Sequence, residues 1–288
     1  MQSSYSKAED GFTLIEISIV LVVIGLIAGV ILVGQDLINA AAIQAQISQI
    51  QGYNTAVRTF EVKYNNLPGD IPNPAAGNYG FQPRGQYAGE GDGNGVLEGV
   101  YSDAAGQNNG RDQVTGENGM LWVDLSAAGL IDGNFNTATP NIYTAGTNVI
   151  TTYLPRAKIG NNYVYTWSDN SKNYWSIATM TWLGSGIPAT QTALSVVQAY
   201  QIDKKIDDGL PQSGQVTAQY SDWMAFGASI GYGWAGSGGV TGGPYTTATA
   251  GSSTTCFDNG NTAGAAQQYS LAQNKGNGMN CALSFEFQ

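Results

Sequence analysis

A chain of 288 residues with 39 glycines, 16 tyrosines and only 11% charged residues is long enough to bury a core unaided, and too rich in turns and aromatics for a helical bundle. Its formal net charge of -10, with no basic stripe to offset it, excludes nucleic acid as a natural partner. With no histidine it lacks the commonest general base and metal ligand, so composition speaks against catalysis.

The first element is the run FTLIEISIVLVVIGLIAGVILVG, residues 12–34, in which Glu16 is the single charge. As a helix it is about 34 Å long, enough to cross a hydrocarbon core of about 30 Å. A secretory signal peptide has a shorter apolar region followed by a small-residue cleavage site, and neither feature is present. Lys7 precedes the run and the next basic residue is Arg58, which orients the N-terminus to the cytoplasm and the remainder outward. A carboxylate within lipid costs on the order of 3 kcal/mol, so Glu16 requires a partner that this reading does not find within the single chain. A cut between Gly11 and Phe12 would create a cationic amine about one helical turn away, able to pair with the Glu16 of another copy.

The segment KAEDG followed by FTLIEISIVLVVIGLIAGVIL resembles the leader and cleavage motif of type IV pilins and type II secretion pseudopilins. The resemblance implies cleavage by a prepilin peptidase after Gly11, methylation of the new N-terminal Phe12, and a role for Glu16 in subunit registration. It also implies a pilin fold of the α+β class, a long N-terminal helix packed on an antiparallel sheet. Expected partners are other pilin or pseudopilin subunits and the inner-membrane assembly machinery. The expected location is the inner membrane as a single-pass protein with its C-terminal domain outside the cytoplasm, and afterwards a periplasmic or extracellular filament. The leader, residues 1–11, departs from the family's preference for basic residues by carrying Glu9 and Asp10.

Beyond Gly34 the helix changes character. Ile43, Ile47, Ile50, Val57, Phe60 and Tyr64 recur at threes, fours and one seven, the apolar face of an amphipathic half over residues 35–66. The spacing drifts from a strict heptad, which favours packing on the chain's own domain over a coiled coil. Asn65, Asn66, Pro68 and Gly69 end the helix. The sixteen Phe, Ile, Leu and Val residues of 12–34 can leave lipid only for another apolar environment, such as a bundle of like helices in a polymer.

Residues 67–288 read as an exported α+β domain. Strands are predicted at VITTYL from Val149, YVYTW from Tyr163, NYWSIATMTWL from Asn173, VTAQY from Val216 and CALSFEF from Cys281, and helices around Leu121 to Leu130 and Leu194 to Ile206. The Gly, Ser and Thr-rich stretch running into Cys256 reads as a loop. Two cysteines in an exported domain, outside any CxxC spacing, predict a Cys256–Cys281 bridge that stabilises by roughly 3 kcal/mol. In EGDGNGVLEG, Asp92, Asn94 and Glu98 sit among turn-forming glycines and could offer oxygens to calcium, although the spacing is not that of an EF-hand. A plain Gly/Asn turn accounts for it equally, and some pseudopilins bind calcium in a loop of this domain. In IDKKIDDGLPQSG, from Ile202, helix capping and solvated charge account for the acids better than a second cation site.

The leading function is therefore a filament subunit, of a pilus or a pseudopilus. The alternative is a filament-tip adhesin or surface-binding minor pilin in which Tyr163, Tyr165, Trp167, Tyr174 and Trp175 meet a surface or carbohydrate, and those aromatics serve a core equally well.

Overall fold

The apolar run and the one-sided stripe form one unbroken helix, α1 (Leu14–Tyr64), of 51 residues. It ends as the sequence predicts: Asn65 takes the left-handed conformation, φ 54°, its N–H donates to the Glu61 carbonyl at 2.7 Å, and Pro68 follows. The computed structural model describes residues 12–84, 91–99, 114, 116–135, 150–184, 187–221, 232–235, 255–260, 262, 265–272 and 276–288. The leader and nearly all of the loop before Cys256 lie outside the described residues.

The chain divides into two compact units, Met1–Ala42 and Ile43–Gln288. In the first, α1 is apolar on every side and exposed from Leu14 to Val33, Leu14 at 89% and Val30 at 74%. Among the described residues α1 is the one helix long and apolar enough to cross a membrane.

In the second unit α1 buries one stripe: Ile43, Gln46, Ile47, Ile50, Tyr53, Ala56, Val57 and Phe60. The apolar periodicity anticipates five of these. Tyr64 is only half-buried, and the periodicity passes over Gln46, Tyr53 and Ala56. After the short helix α2 (Ala75–Asn78), helix α3 (Glu117–Ala127) and the sheet cover the stripe. The Tyr53 ring lies 5.1 Å from Trp122 of α3 and 5.5 Å from Trp175, whose indole N–H donates to Asn54 Oδ1 at 2.7 Å. Gln46 can be buried because both ends of its amide are used. Its Oε1 accepts the Lys158 N–H at 2.8 Å, and its Nε2 donates to Gln49 Oε1 at 3.1 Å.

Helix α4 (Ile150–Tyr153) falls where VITTYL predicts a strand. Ile150 and Leu154 are both buried, four residues apart, and the Leu154 N–H to Ile150 carbonyl bond closes one helical turn that brings the two side chains next to each other, where a strand would set them about 13 Å apart. The strands that follow are β1 (Tyr163–Asp169), β2 (Lys172–Gly184) and β3 (Ile187–Gln191), then helix α5 (Val196–Ile206), then β4 (Val216–Thr217), β5 (Gln219–Ser221), β6 (Tyr232–Trp234), β7 (Phe257–Asp258), β8 (Gln268–Tyr269) and β9 (Leu283–Glu286). The main sheet is antiparallel, in the order β1-β2-β9-β4 with β3 on the far half of β2. A two-residue turn, Asn170 and Ser171 with φ 49° and 62°, sets the β1–β2 register from Tyr163↔Ala178 to Asp169↔Lys172.

The α+β class and the long helix on an antiparallel sheet are thus present. VTAQY is two strands, because Ala218 turns its N–H to the Pro211 carbonyl and the chain changes partner from β9 to β6. The two domain helices begin and end within a few residues of expectation, α3 starting earlier at Glu117.

For the full chain in detergent micelles, Ile50→Ala is expected to lower unfolding stability by about 2–5 kcal/mol. Gln51→Ala, on the exposed face, should change it by less than about 0.5 kcal/mol. Equal denaturant midpoints for the two variants would show that the stripe is not the packing surface.

Candidate functional site

Three places carry the sequence-derived site residues. At the start of α1, Gly11 lies outside the described residues, and Phe12 is exposed. Glu16 has a partner that the sequence reading does not supply. The Thr13 N–H and hydroxyl donate to Glu16 Oε2 at 2.8 and 2.7 Å, and the Glu16 N–H donates back to Thr13 Oγ1 at 3.3 Å. This reciprocal pattern is a capping box, Thr-x-x-Glu, which satisfies amide groups at the helix start. The signal is visible in Thr13-Leu-Ile-Glu16, but the apolar surroundings draw attention to lipid instead.

The second place is the loop expected to hold calcium. Asn94 Oδ1 accepts the Val96 N–H at 2.7 Å, while its own N–H and Nδ2 donate to Asp92 at 2.9 and 3.0 Å. Glu98 is buried, and its main chain is bonded to Glu117. The carboxylates that meet are Asp70, Asp92 and Glu117, each with an oxygen within 4.8 Å of the others.

Asp70 and Glu117 act as clasps. Gly93 and Gly95 donate their N–H groups to Asp70 at 2.6 and 2.7 Å, and Gly91 and Glu98 donate theirs to Glu117. Burial pushes Asp70 up to about 6 against the two N–H bonds. Burial first, and then the Asp70 charge, hold Glu117 well above the usual carboxylate range. Among the described residues no salt bridge reaches this group. Three carboxylates with spare lone pairs suit a hard, oxygen-seeking cation, with Asp70 and Glu117 as donors the sequence did not single out.

Next to the clasp, Asp124 binds the buried Arg84 guanidinium and accepts the Gly69 N–H at 2.7 Å, while Arg84 Nε donates to the Gly69 carbonyl. Gly69 is required here: φ is +91°, and a Cβ would overlap the Glu117 carbonyl oxygen. The segment YNNLPGDIP therefore anchors the end of α1 to α3.

The third place is the C-terminal loop. Cys256 and Cys281 are bridged, with Cα atoms 5.0 Å apart. In IDKKIDDGLPQSG, Asp207 accepts the N–H groups of Gln215 and Val216, and Asp208 accepts the Leu210 N–H and the Ser213 hydroxyl. These acids close a turn leading into β4.

The aromatics offered as a binding face are core. Tyr163, Tyr165, Trp167 and Trp175 are buried, and Tyr174 is half-buried with its ring stacked 4.7 Å from Trp167. Tyr163, Tyr165 and Trp167 lie on the edge strand β1 and Trp175 on β2, and their rings are buried in the domain.

A family model described as the prokaryotic N-terminal methylation motif matches residues 6–32, the prepilin signal of type IV pilins and pseudopilins. No curated protein and no solved structure matches the chain.

The capping box predicts a difference between two substitutions. Glu16→Gln keeps an acceptor at the third helical position, whereas Glu16→Ala removes it and leaves the Thr13 N–H without its cap. Amide exchange at Thr13 in micelles should be faster in the Ala variant alone, and equal rates would remove the cap from the account.

Proposed function

We propose that this chain, which carries the prepilin-type methylation motif, is a structural subunit of a type IV pilus-like or type II secretion pseudopilus filament. The observation that carries the reading is the conjunction of that motif with an exposed, all-round apolar helix start and a separate α+β unit. Such a helix is compatible with lipid before assembly and with the apolar interior of a polymer afterwards, and with water in neither state.

In this reading a prepilin peptidase cuts between Gly11 and Phe12, Phe12 is N-methylated, and the inner-membrane assembly machinery moves the subunit from the membrane into the filament. Glu16 acts twice. In the inserted subunit its carboxylate caps its own helix, which lowers the cost of carrying it within lipid. In the polymer its charge registers the subunit against the new amine of a neighbour. The adhesin alternative loses the aromatic face on which it rested.

The test is N-terminal mass analysis of full-length protein made with and without the processing peptidase, beside a Gly11→Val variant. The mature mass should begin at Phe12 only when the peptidase and Gly11 are both present. Filaments built from chains that retain Met1 would overturn the proposal. Glu16→Gln separates the two roles of the carboxylate, since it preserves the cap and removes the charge. It should insert normally and lose most filament yield, and normal yield would leave Glu16 with capping alone.

Calcium belongs to the same proposal, with Asp92 now beside Asp70 and Glu117 in place of Asn94 and Glu98. It would neutralise carboxylates that the fold holds together and so stabilise the loop 91–98. Millimolar calcium should raise the thermal midpoint of the full chain by a few degrees over a chelator control, and Glu117→Gln should abolish the rise. An unchanged midpoint in the unsubstituted protein dismisses the site.

A further inference from the structure

The bridge Cys256–Cys281 closes a loop whose far point is Tyr269, thirteen residues after one cysteine and twelve before the other. The bridge end is secured to the chain before α5: Ala193 and Leu194 donate N–H groups to the Cys281 carbonyl, and Cys281 donates to Leu194. The far point has its own attachment. The Tyr269 hydroxyl donates to Asp203 Oδ2 at 2.8 Å, and the Gly209 N–H donates to Asp203 Oδ1 at 3.0 Å. Both Asp203 and Tyr269 are buried, the Tyr269 ring lies against Tyr200 with centroids 5.9 Å apart, and the same loop also meets α5 where the Val196 N–H donates to the Gly278 carbonyl at 3.2 Å.

The surroundings of this bond are acidic. Asp207 and Asp208 each bring an oxygen within 4.8 Å of Asp203. On α5, Lys204 is exposed and its Nζ donates to the Tyr200 hydroxyl at 3.0 Å, while Lys205 is also exposed. Tyr269 is the titratable group that faces Asp203 from β8. Among the described residues no cation pairs with Asp203. The latch is therefore a phenol held by a buried carboxyl group that has two like-charged neighbours and no counter-ion.

We propose that the Tyr269–Asp203 contact is a pH-sensitive latch, which holds the middle of the disulfide loop on α5 when Asp203 carries a proton and loosens as that proton is lost. Burial raises Asp203 to about 7, opposed by its bonds from Tyr269 and Gly209 and assisted by Asp208 and Asp207. Burial and the same acids hold Tyr269 well above its ordinary value, so the phenol keeps its proton throughout. The docked state binds a proton that the undocked state, with an ordinary carboxyl, releases near pH 4. Docking is accordingly strongest below about pH 4, weakens steadily as the pH rises to about 7, and is constant above about pH 8.

The experiment is amide hydrogen exchange on the full chain in detergent micelles, corrected for intrinsic rates, read at Gly209, whose N–H donates to Asp203, and at Tyr269. Between about pH 5.5 and pH 8 the unsubstituted protein should lose protection at these amides by roughly tenfold or more. Asp203→Asn, permanently neutral, keeps one oxygen to accept the Gly209 N–H and can donate its amide to the Tyr269 hydroxyl, so it should keep its protection within about twofold over the same range. Tyr269→Phe should lower protection at both pH values. Protection in the unsubstituted protein that does not change with pH overturns the latch, and so does a pH dependence that persists in Asp203→Asn. If Asp203→Asn does not fold, the pH profile of the unsubstituted protein, read against a distant core amide such as Ile177, decides the matter alone.

Discussion

From Ile43 to Phe60, α1 presents a stripe that water would penalise, and the second unit is organised by covering it. Tyr53 sits between Trp122 of α3 and Trp175 of β2, so three elements far apart in sequence meet on one ring cluster. Gln46 shows how strongly this contact is specified: a buried amide is tolerated because the Lys158 main chain and Gln49 complete its bonds. The same helix is exposed from Leu14 to Val33, where all residues but Glu16 and Ser18 are apolar or glycine. One element thus meets two kinds of surroundings, and the change in periodicity near Ile43 marks where one requirement gives way to the other.

A chain so poor in charge uses its acids sparingly, and mostly on backbone. Asp70, Glu117, Asp124, Asp207 and Asp203 each accept main-chain N–H groups from segments without regular structure. Buried amides in irregular loops must find acceptors, and a carboxylate offers four lone-pair sites from one side chain. Groups placed for this purpose become sensitive to protons or cations as a by-product, since burial raises their affinity for either. The Asp70–Glu117 clasp and the Asp203–Tyr269 contact are two places where buried acids hold irregular backbone in this way.

Glu16 belongs with them. Its carboxylate closes the N-terminus of α1 by the same bonding to backbone, in a setting where unsatisfied amides are especially costly. Capping and pairing with a neighbouring amine are compatible, because Thr13 donates both of its bonds to Oε2 and Oε1 can still accept.

The sequence alone determined the long helix, its two halves, its end at Asn65, the α+β class, the bridge between the cysteines and the prepilin-type motif. These are local or pairwise properties: hydrophobic period, turn chemistry, residue count and a short contiguous signature. The helical turn at Ile150, the break of VTAQY at Ala218 and the burial of Tyr163, Tyr165, Trp167 and Trp175 depended on what lay opposite each residue, which no local window contains. The acid group shows the limit most clearly. Asp92 was legible in its glycine-rich loop, but Asp70 and Glu117 stand 22 residues before and 25 after it in the chain. Only the packing of the loop against α3 and the end of α1 brought the three carboxylates together, because convergence of distant side chains is a property of the folded backbone.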